Sequence, residues 1–245
     1  WMALMIEKKI DNYHLIIVKD KSELSIKVAD YISERIKIIL NAKDRFQLCL
    51  CGGSTPKNVY DFLSEKELNW EKVDVFLGDE RCVKPTSDES NTLMINNSLL
   101  NNFGSKADFY NIFSDKKINE DISKKLLLDE LKKKCDGYPP IFDFTLLGLG
   151  NDGHTASLFP YKDNNTDEFV MTTFGNGLKR ISFTPKVLSA SRKIAFVVSG
   201  TSKQIALKRL FSNSESSDRT PAKLIKSKSE ILVFSDLEAS KDLDL

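Results

Sequence analysis

The residues best suited to chemistry lie in the run Leu147-Gly148-Leu149-Gly150-Asn151-Asp152-Gly153-His154-Thr155-Ala156-Ser157-Leu158-Phe159-Pro160. His154 is one of only two histidines in the chain. A neutral imidazole, with an ordinary pKa of about 6.5, can take a proton from water near neutral pH, and Asp152 two residues earlier can hold the ring. A lone histidine is more often structural or merely exposed, but flanking glycines at the end of a buried strand favour a chemical role. His14 sits inside a strand pattern and keeps the structural reading.

Three further clusters could bind an anion. In Cys51-Gly52-Gly53-Ser54-Thr55-Pro56, two glycines permit close backbone approach, Ser54 and Thr55 offer hydroxyls, and Pro56 suits a first helical turn. Such a turn is either a phosphate cradle at a helix N-terminus or a plain strand-to-helix connection, and it lacks the lysine and spacing of a Walker loop. Leu77-Gly78-Asp79-Glu80-Arg81 places two carboxylates and a guanidinium beyond an apolar strand. Arg81 can grip a phosphate through paired hydrogen bonds and Asp79 can accept from sugar hydroxyls; a solvated salt bridge is the alternative. Finally, Arg180 opens the strand Ile181-Ser182-Phe183, and Lys203 follows the glycine turn Ser199-Gly200-Thr201-Ser202. Both can close on a phosphate, although most surface cations are simply solvated.

The elements that must position these groups alternate in type. Tyr13–Val18 reads as a strand, and Asp20 and Glu23, spaced like a capping box, precede Leu24, Val28, Ile32, Ile36 and Leu40 at helical spacing. The pattern repeats with strand Phe46–Cys51, helix Pro56–Glu65, strand Val73–Leu77 and helix Asn91–Phe103. A helix over Asn119–Lys134 stops before Pro139-Pro140, and Phe142–Leu149 is apolar enough for a central buried strand. Further strands are expected at Phe169–Phe174, Arg180–Phe183, Ile194–Val198 and Ile231–Phe234, with a surface loop over Tyr161–Glu168 and a mobile segment over Ser212–Asp218. This alternation predicts an α/β fold with a mainly parallel sheet covered on both faces, with ligands outside the carboxyl ends of the strands. The length and absence of a linker suit one domain over residues 1–245.

Composition narrows the function classes. Thirty-six Lys and Arg against thirty-five Asp and Glu give a formal charge of +1, so no global field attracts nucleic acid or an anionic membrane. There is no apolar run of transmembrane length and no secretory signal pattern; a cytoplasmic protein is expected. Cys49, Cys51, Cys82 and Cys135 form neither a disulfide framework nor a metal motif, and two histidines far apart in the chain make a zinc site unpromising. A Gly-x-Ser-x-Gly elbow is absent too. The opening Trp1-Met2-Ala3-Leu4-Met5 is assigned no role.

Taken together, Gly52-Gly53-Ser54-Thr55-Pro56, Gly78-Asp79-Glu80-Arg81, the Leu147–Pro160 run, Thr184-Pro185 with Leu188, Gly200 with Lys203, and Pro221-Ala222 resemble the 6-phosphogluconolactonase family. The resemblance spans nearly the whole chain. It implies a Rossmann-like three-layer fold similar to those of glucosamine-6-phosphate deaminase and ribose-5-phosphate isomerase. The implied reaction is cofactor-free hydrolysis of 6-phospho-D-glucono-1,5-lactone to 6-phospho-D-gluconate in the oxidative pentose phosphate pathway. It also implies His154 as catalytic base, with Gly53, Ser54, Arg81, Arg180 and Lys203 at or beside positions that handle sugar and phosphate. The expected partner is a small sugar phosphate, the expected state a monomer, and fusion to or association with glucose-6-phosphate dehydrogenase is left open. Two alternatives stand beside this reading. Glucosamine-6-phosphate deaminases resemble the chain around His154 but carry a glutamate where Phe159 stands, and Phe cannot transfer a proton. A non-catalytic sugar-phosphate-binding protein would use the cradle and leave His154 without a task. At the C-terminus, Val233-Phe234-Ser235-Asp236-Leu237-Glu238-Ala239-Ser240 departs from the aromatic-rich strand and paired alanines common in the family, which bears on the packing of the last helix.

Overall fold

A computed structural model describes residues 5–113 and 119–243, so the Trp1–Leu4 part of the N-terminal run lies outside the described residues. In chain order the strands are β1 (Ile6–Ile10), β2 (Tyr13–Val18), β3 (Phe46–Leu50), β4 (Val73–Leu77), β5 (Asp79–Arg81), β6 (Asp108–Tyr110), β7 (Phe144–Gly148), β8 (Val170–Gly175), β9 (Leu178–Phe183), β10 (Ile194–Val198) and β11 (Ile231–Asp236). The α-helices are α1 (Lys21–Leu40), α2 (Ser54–Ser64), α3 (Asn91–Asn97), α4 (Glu120–Lys134), α5 (Pro185–Ser189), α6 (Gln204–Phe211) and α7 (Leu237–Ser240).

Eight strands make one sheet in the order β1-β2-β11-β10-β7-β3-β4-β6, parallel throughout except for the β1–β2 hairpin. From β3 the chain winds outward through β4 to β6, then returns to β7 and winds the other way through β10 to β11. The reversal lies between β3 and β7, where diverging connections leave a crevice at the carboxyl edge of an open sheet. Leu146, Leu147, Leu48 and Phe196 on these central strands are fully buried, which their continuous apolar runs require.

The strands Tyr13–Val18, Val73–Leu77 and Ile194–Val198 match the expected apolar runs residue for residue. Asp20 caps α1 by accepting from the Ser22 and Glu23 N–H groups at 3.0 Å, while Glu23 reaches back to the Lys19 N–H at 3.0 Å, one residue beyond a true capping box. Leu24, Val28, Ile32 and Ile36 form the buried stripe of α1. Expectation and structure part at α3, which ends at Asn97 rather than Phe103. The helix gives way around Ser98, and the polar Asn101-Asn102 leads into a separate 3₁₀ turn, Asn102–Lys106. The Ser212–Asp218 segment is tied down: the Asp218 carbonyl accepts from the Tyr161 N–H at 2.8 Å and Lys223 Nζ donates to the Ser212 carbonyl at 2.7 Å.

A second sheet, antiparallel and ordered β5-β9-β8, hangs from the first. Gly78 is the hinge: its N–H donates to the Leu50 carbonyl of β3 at 2.8 Å, and its own carbonyl accepts from the Phe183 N–H of β9 at 2.8 Å. The chain therefore leaves the large sheet in a single residue and carries Asp79 and Arg81 over the crevice mouth. At the C-terminus the departure from the family pattern is accommodated, since Ser240 Oγ donates to Ser235 Oγ at 2.7 Å and Ala239 is buried.

Candidate active site

The crevice holds a cleft of about 280 Å³ lined from the carboxyl ends of β3, β7 and β10, from β5 and β9 of the small sheet, and from Asn91 at the start of α3. After β3, Gly53 takes φ 118°, a conformation suited to glycine, and the chain turns into α2 at once. No side chain caps this helix, so the first-turn N–H groups of Ser54 and Thr55 are left toward the cleft, where the helix dipole favours an anion. Gly52 packs against the Asn91 side chain so closely that a Cβ there would overlap the Asn91 amide. The Asn91 amide in turn donates to the Asp79 carbonyl at 3.0 Å.

After β7, residues 150–154 form a tight loop. The Gly150 N–H donates to the His154 carbonyl at 2.8 Å, and the Gly153 N–H to the Gly150 carbonyl at 2.9 Å. Gly153, at φ 93°, lies against Thr220, and its carbonyl accepts from the Ala222 N–H at 3.0 Å, so the Pro221-Ala222 segment backs the loop. Asp152 accepts from the His154 N–H at 3.1 Å, and its Oδ1 lies 2.6 Å from His154 Nδ1. Burial works against ionisation of Asp152, yet the hydrogen bonds from the His154 ring and backbone outweigh it and hold the carboxyl at about 2. An ionised Asp152 makes Nδ1 the protonated ring nitrogen and leaves Nε2 with its lone pair available.

The small sheet supplies the cations. Arg81 and Arg180 are direct partners across β5 and β9. Two like charges at such a position are unfavourable by themselves and favour an anion close by. Arg180 is buried, 6% exposed, and burial together with the neighbouring Arg81 depresses its pKa against the pull of Asp79. Its Nη1 stands 3.7 Å from Asp79 Oδ2, and Ser157 Oγ donates a short hydrogen bond to the same carboxylate oxygen. Arg81 Nη1 donates to the Glu89 carbonyl at 2.5 Å, and its Nε is buried without a hydrogen-bond partner among the described residues.

Lys203 enters from the 3₁₀ turn ahead of α6, where burial depresses its pKa and the charge of Asp152 opposes that shift. Among the described residues its ammonium makes no salt bridge. The turn is held by Asp236 at the end of β11, which accepts from Ser199 Oγ at 2.5 Å, from the Gly200 N–H at 3.0 Å and from the Ala239 N–H at 2.9 Å.

Gly52, Gly53, Ser54, Thr55, Asp79, Arg81, His154, Arg180 and Lys203 thus share one cleft, with Asp152 against the back of His154. Glu80 is the exception in its cluster: it faces away and caps α3, accepting from the Asn91 N–H at 2.9 Å, the Thr92 N–H at 2.7 Å, Thr92 Oγ1 at 2.8 Å and Ser90 Oγ at 3.0 Å. Asn91, Thr155 and Ser199 also line the cleft, Ser157 supports Asp79 and Asp236 supports Ser199, and none of these five is among the site residues expected from the sequence. Only the polar character of Asn91 and Ser157 beside predicted strand ends could have drawn attention to them. No group of three or more His, Cys, Asp or Glu is placed to hold a metal, and no helix is long and apolar enough to cross a membrane, among the described residues.

The chain matches known proteins over most of its length. A family described as glucosamine-6-phosphate isomerases/6-phosphogluconolactonase matches residues 19–234. The chain is 32% identical over 234 residues to a 6-phosphogluconolactonase of Nostoc sp., covering 94% of this chain and 98% of that one. It is 32% identical over 217 residues to a 6-phosphogluconolactonase of Synechocystis sp., with 86% and 90% covered. A crystal structure of a 6-phosphogluconolactonase from Shewanella baltica superposes with a TM-score of 0.83 at 26% identity, covering 94% of this chain and all 100% of that one. The fold alone is shared with a monomeric glucosamine-6-phosphate deaminase, at a TM-score of 0.74 and 21% identity over 93% of this chain and 98% of that one.

Proposed function

The chain belongs to the glucosamine-6-phosphate isomerase/6-phosphogluconolactonase family, and from that premise we propose how it hydrolyses 6-phospho-D-glucono-1,5-lactone, with His154 as general base. Its reaction is the lactone hydrolysis of the pentose phosphate pathway, giving 6-phospho-D-gluconate. The observation that carries the assignment of the base is the 2.6 Å contact between His154 Nδ1 and Asp152, which leaves Nε2 for the cleft.

In this mechanism Nε2 takes a proton from water as the water oxygen bonds to the lactone carbonyl carbon. The tetrahedral oxyanion then re-forms the carbonyl, the bond to the ring oxygen breaks, and the imidazolium returns its proton to that oxygen. Asp152 stabilises the transient imidazolium and stays ionised throughout. Such a base contributes about 10² to 10⁴ in rate. Arg81, Arg180, Lys203 and the N-terminal N–H groups of α2, with Gly52 and Gly53 allowing close approach, share between them the stabilisation of the phosphate and of the forming oxyanion. Asp79 orients Arg180 and accepts from a sugar hydroxyl. We read residues 1–245 as one domain that carries the whole site, with the sugar-phosphate substrate as its small-molecule partner.

The position that carries a glutamate in the amino-sugar deaminases is here Phe159, whose ring centroid lies 5.0 Å from that of His154. A benzyl group at that place removes the acid–base partner that amino-sugar ring opening would use. The test is hydrolysis of freshly generated 6-phosphogluconolactone, above its spontaneous rate, by the wild type and His154→Ala, with glucosamine 6-phosphate in parallel. The expected result is rapid lactone loss that collapses in the variant and no turnover of the amino sugar. Equal rates for wild type and variant would overturn the role of His154.

A further inference from the structure

Phe159 has a second neighbour besides His154. The guanidinium carbon of Arg180 stands over its ring, 5.3 Å from the centroid. The ring is therefore an apolar plate, 5% exposed, with the proposed base on one side and a buried cation on another. Its remaining edge rests on Gly175, the last residue of β8. A Cβ built on Gly175 would fall well inside van der Waals contact of Phe159 Cε2, Cζ and Cδ2. Gly175 closes the circuit, because its carbonyl accepts from Arg180 Nε at 3.3 Å. It does not itself line the cleft.

Nothing in the backbone of Gly175 demands glycine, since its φ lies outside the left-handed region where glycines 53, 137, 153, 177 and 200 are found. Glycine is needed there for room. The geometry assigns Phe159 and Gly175 a joint positioning role: Gly175 admits the Phe159 ring, and the ring sets the spacing between the His154 imidazole and the Arg180 guanidinium. This rests on the reading of His154 as base and Arg180 as anion holder. The ring touches both, so a displaced ring must move one or both, and no compensating shift is open to it on the Gly175 side. It also keeps water from the side of the imidazole it covers, and it strengthens the hold on Arg180 through the attraction of a cation to an aromatic face.

A Cβ at position 175 adds volume to a packed contact, and a misplacement of about 1 Å near reacting groups costs as much as about a hundredfold in rate. Three variants test the assignment: Gly175→Ala, Phe159→Leu, and the double variant G175A/F159L. Each is measured for kcat, KM and the dissociation constant of 6-phosphogluconate, with thermal unfolding recorded for all three. Gly175→Ala is expected to lower kcat about tenfold or more and to weaken the product, while remaining folded. In the Phe159→Leu background, where a smaller side chain leaves space for the new methyl, the same substitution is expected to cost less than about twofold. Wild-type kcat and product affinity in a folded Gly175→Ala protein would overturn the assignment. So would an equal cost of Gly175→Ala in both backgrounds. If Gly175→Ala does not fold, Phe159→Leu decides alone: lower kcat with unchanged KM and product affinity means that the ring does not hold Arg180, and the joint role falls. His154→Ala measured alongside tests the base separately, because product binding through Arg180 does not depend on proton transfer.

Discussion

Asp152 meets His154 twice, at ring Nδ1 and at the backbone N–H. Asp152→Asn keeps an acceptor in place but removes the charge that fixes the tautomer and steadies the imidazolium. We expect kcat to fall about 10²-fold with KM little changed, less than the roughly 10⁴ seen when a fully buried partner is neutralised, because the Asp152 side chain is 47% exposed. Steady-state kinetics on the lactone reads this directly; a change confined to KM would place Asp152 in binding instead. Arg81 and Arg180 face each other across two strands, and without an anion between them they repel. Unphosphorylated gluconolactone is accordingly expected to be turned over at least about a hundredfold less efficiently, and comparable kcat/KM for the two lactones would contradict the phosphate stabilisation proposed for the site. At this scale the sequence was most readable where chemistry and chain geometry coincide: His154, the Gly52-Gly53 turn and Arg81 all follow directly on apolar runs. Ser157 and Asp236 were invisible because their partners, Asp79 and the Gly200 turn, are distant in sequence, and only the folded chain brings them together.

Among the elements, β5 carries the most function for its length. Three residues, Asp79–Arg81, present one carboxylate and one guanidinium to the cleft and bury the third side chain, Glu80, as the cap of α3. Five donors converge on that carboxylate, counting the Arg81 N–H at 2.8 Å. Glu80→Gln sets an amide N–H₂ among donors, and we expect a loss of about 2 to 4 kcal/mol, visible as a lower denaturant midpoint, with activity reduced through loosening of Asn91 and Arg81. Unchanged stability would mean that the α3 cap is dispensable. Such a strand could not be read from periodicity, since Asp-Glu-Arg has no apolar member, and the existence of a second sheet was hidden with it. β1 escapes for a different reason: Ile6-Glu7-Lys8-Lys9-Ile10 is almost wholly exposed, and its two isoleucines at the ends make neither an apolar run nor an alternation. The parallel sheet was legible because its central strands are buried on both faces and therefore apolar throughout.

For the molecule as a whole, acid is the condition to which the buried polar groups respond. At the end of the large sheet opposite the cleft, Asp74 is fully buried and burial alone would raise its pKa; hydrogen bonds from Arg45, Gln47 and Tyr110 outweigh this and hold it below its ordinary value. Asp152 is shifted in the same direction, to about 2. A carboxyl whose folded pKa is depressed stabilises the fold above its unfolded value, about 3.9, and that stability is lost as the pH falls through the folded value. The window set by Asp152 therefore runs from about pH 4 to about pH 2. Denaturant midpoints recorded from neutrality downward should stay level on this account until about pH 4 and then fall, and Asp74→Asn should flatten that fall while costing about 3 kcal/mol at neutral pH. An equally steep decline in the variant would assign acid sensitivity to other groups.

The pairing of Arg81 with Arg180 also has a temporal side. The strands that bring them together lie on opposite sides of α4 and β7 in the chain, so the small sheet closes a long loop, whereas the β1–β2 hairpin and α1 need only near neighbours. Long loops close slowly. A chain diluted from denaturant should regain its helical circular dichroism first and its turnover later, which makes the enzymatic assay a clock for the long-range pairings, that of Arg81 with Arg180 and that of β2 with β11 among them. Turnover returning together with the first dichroism phase would mean that the small sheet is among the earliest structures to form.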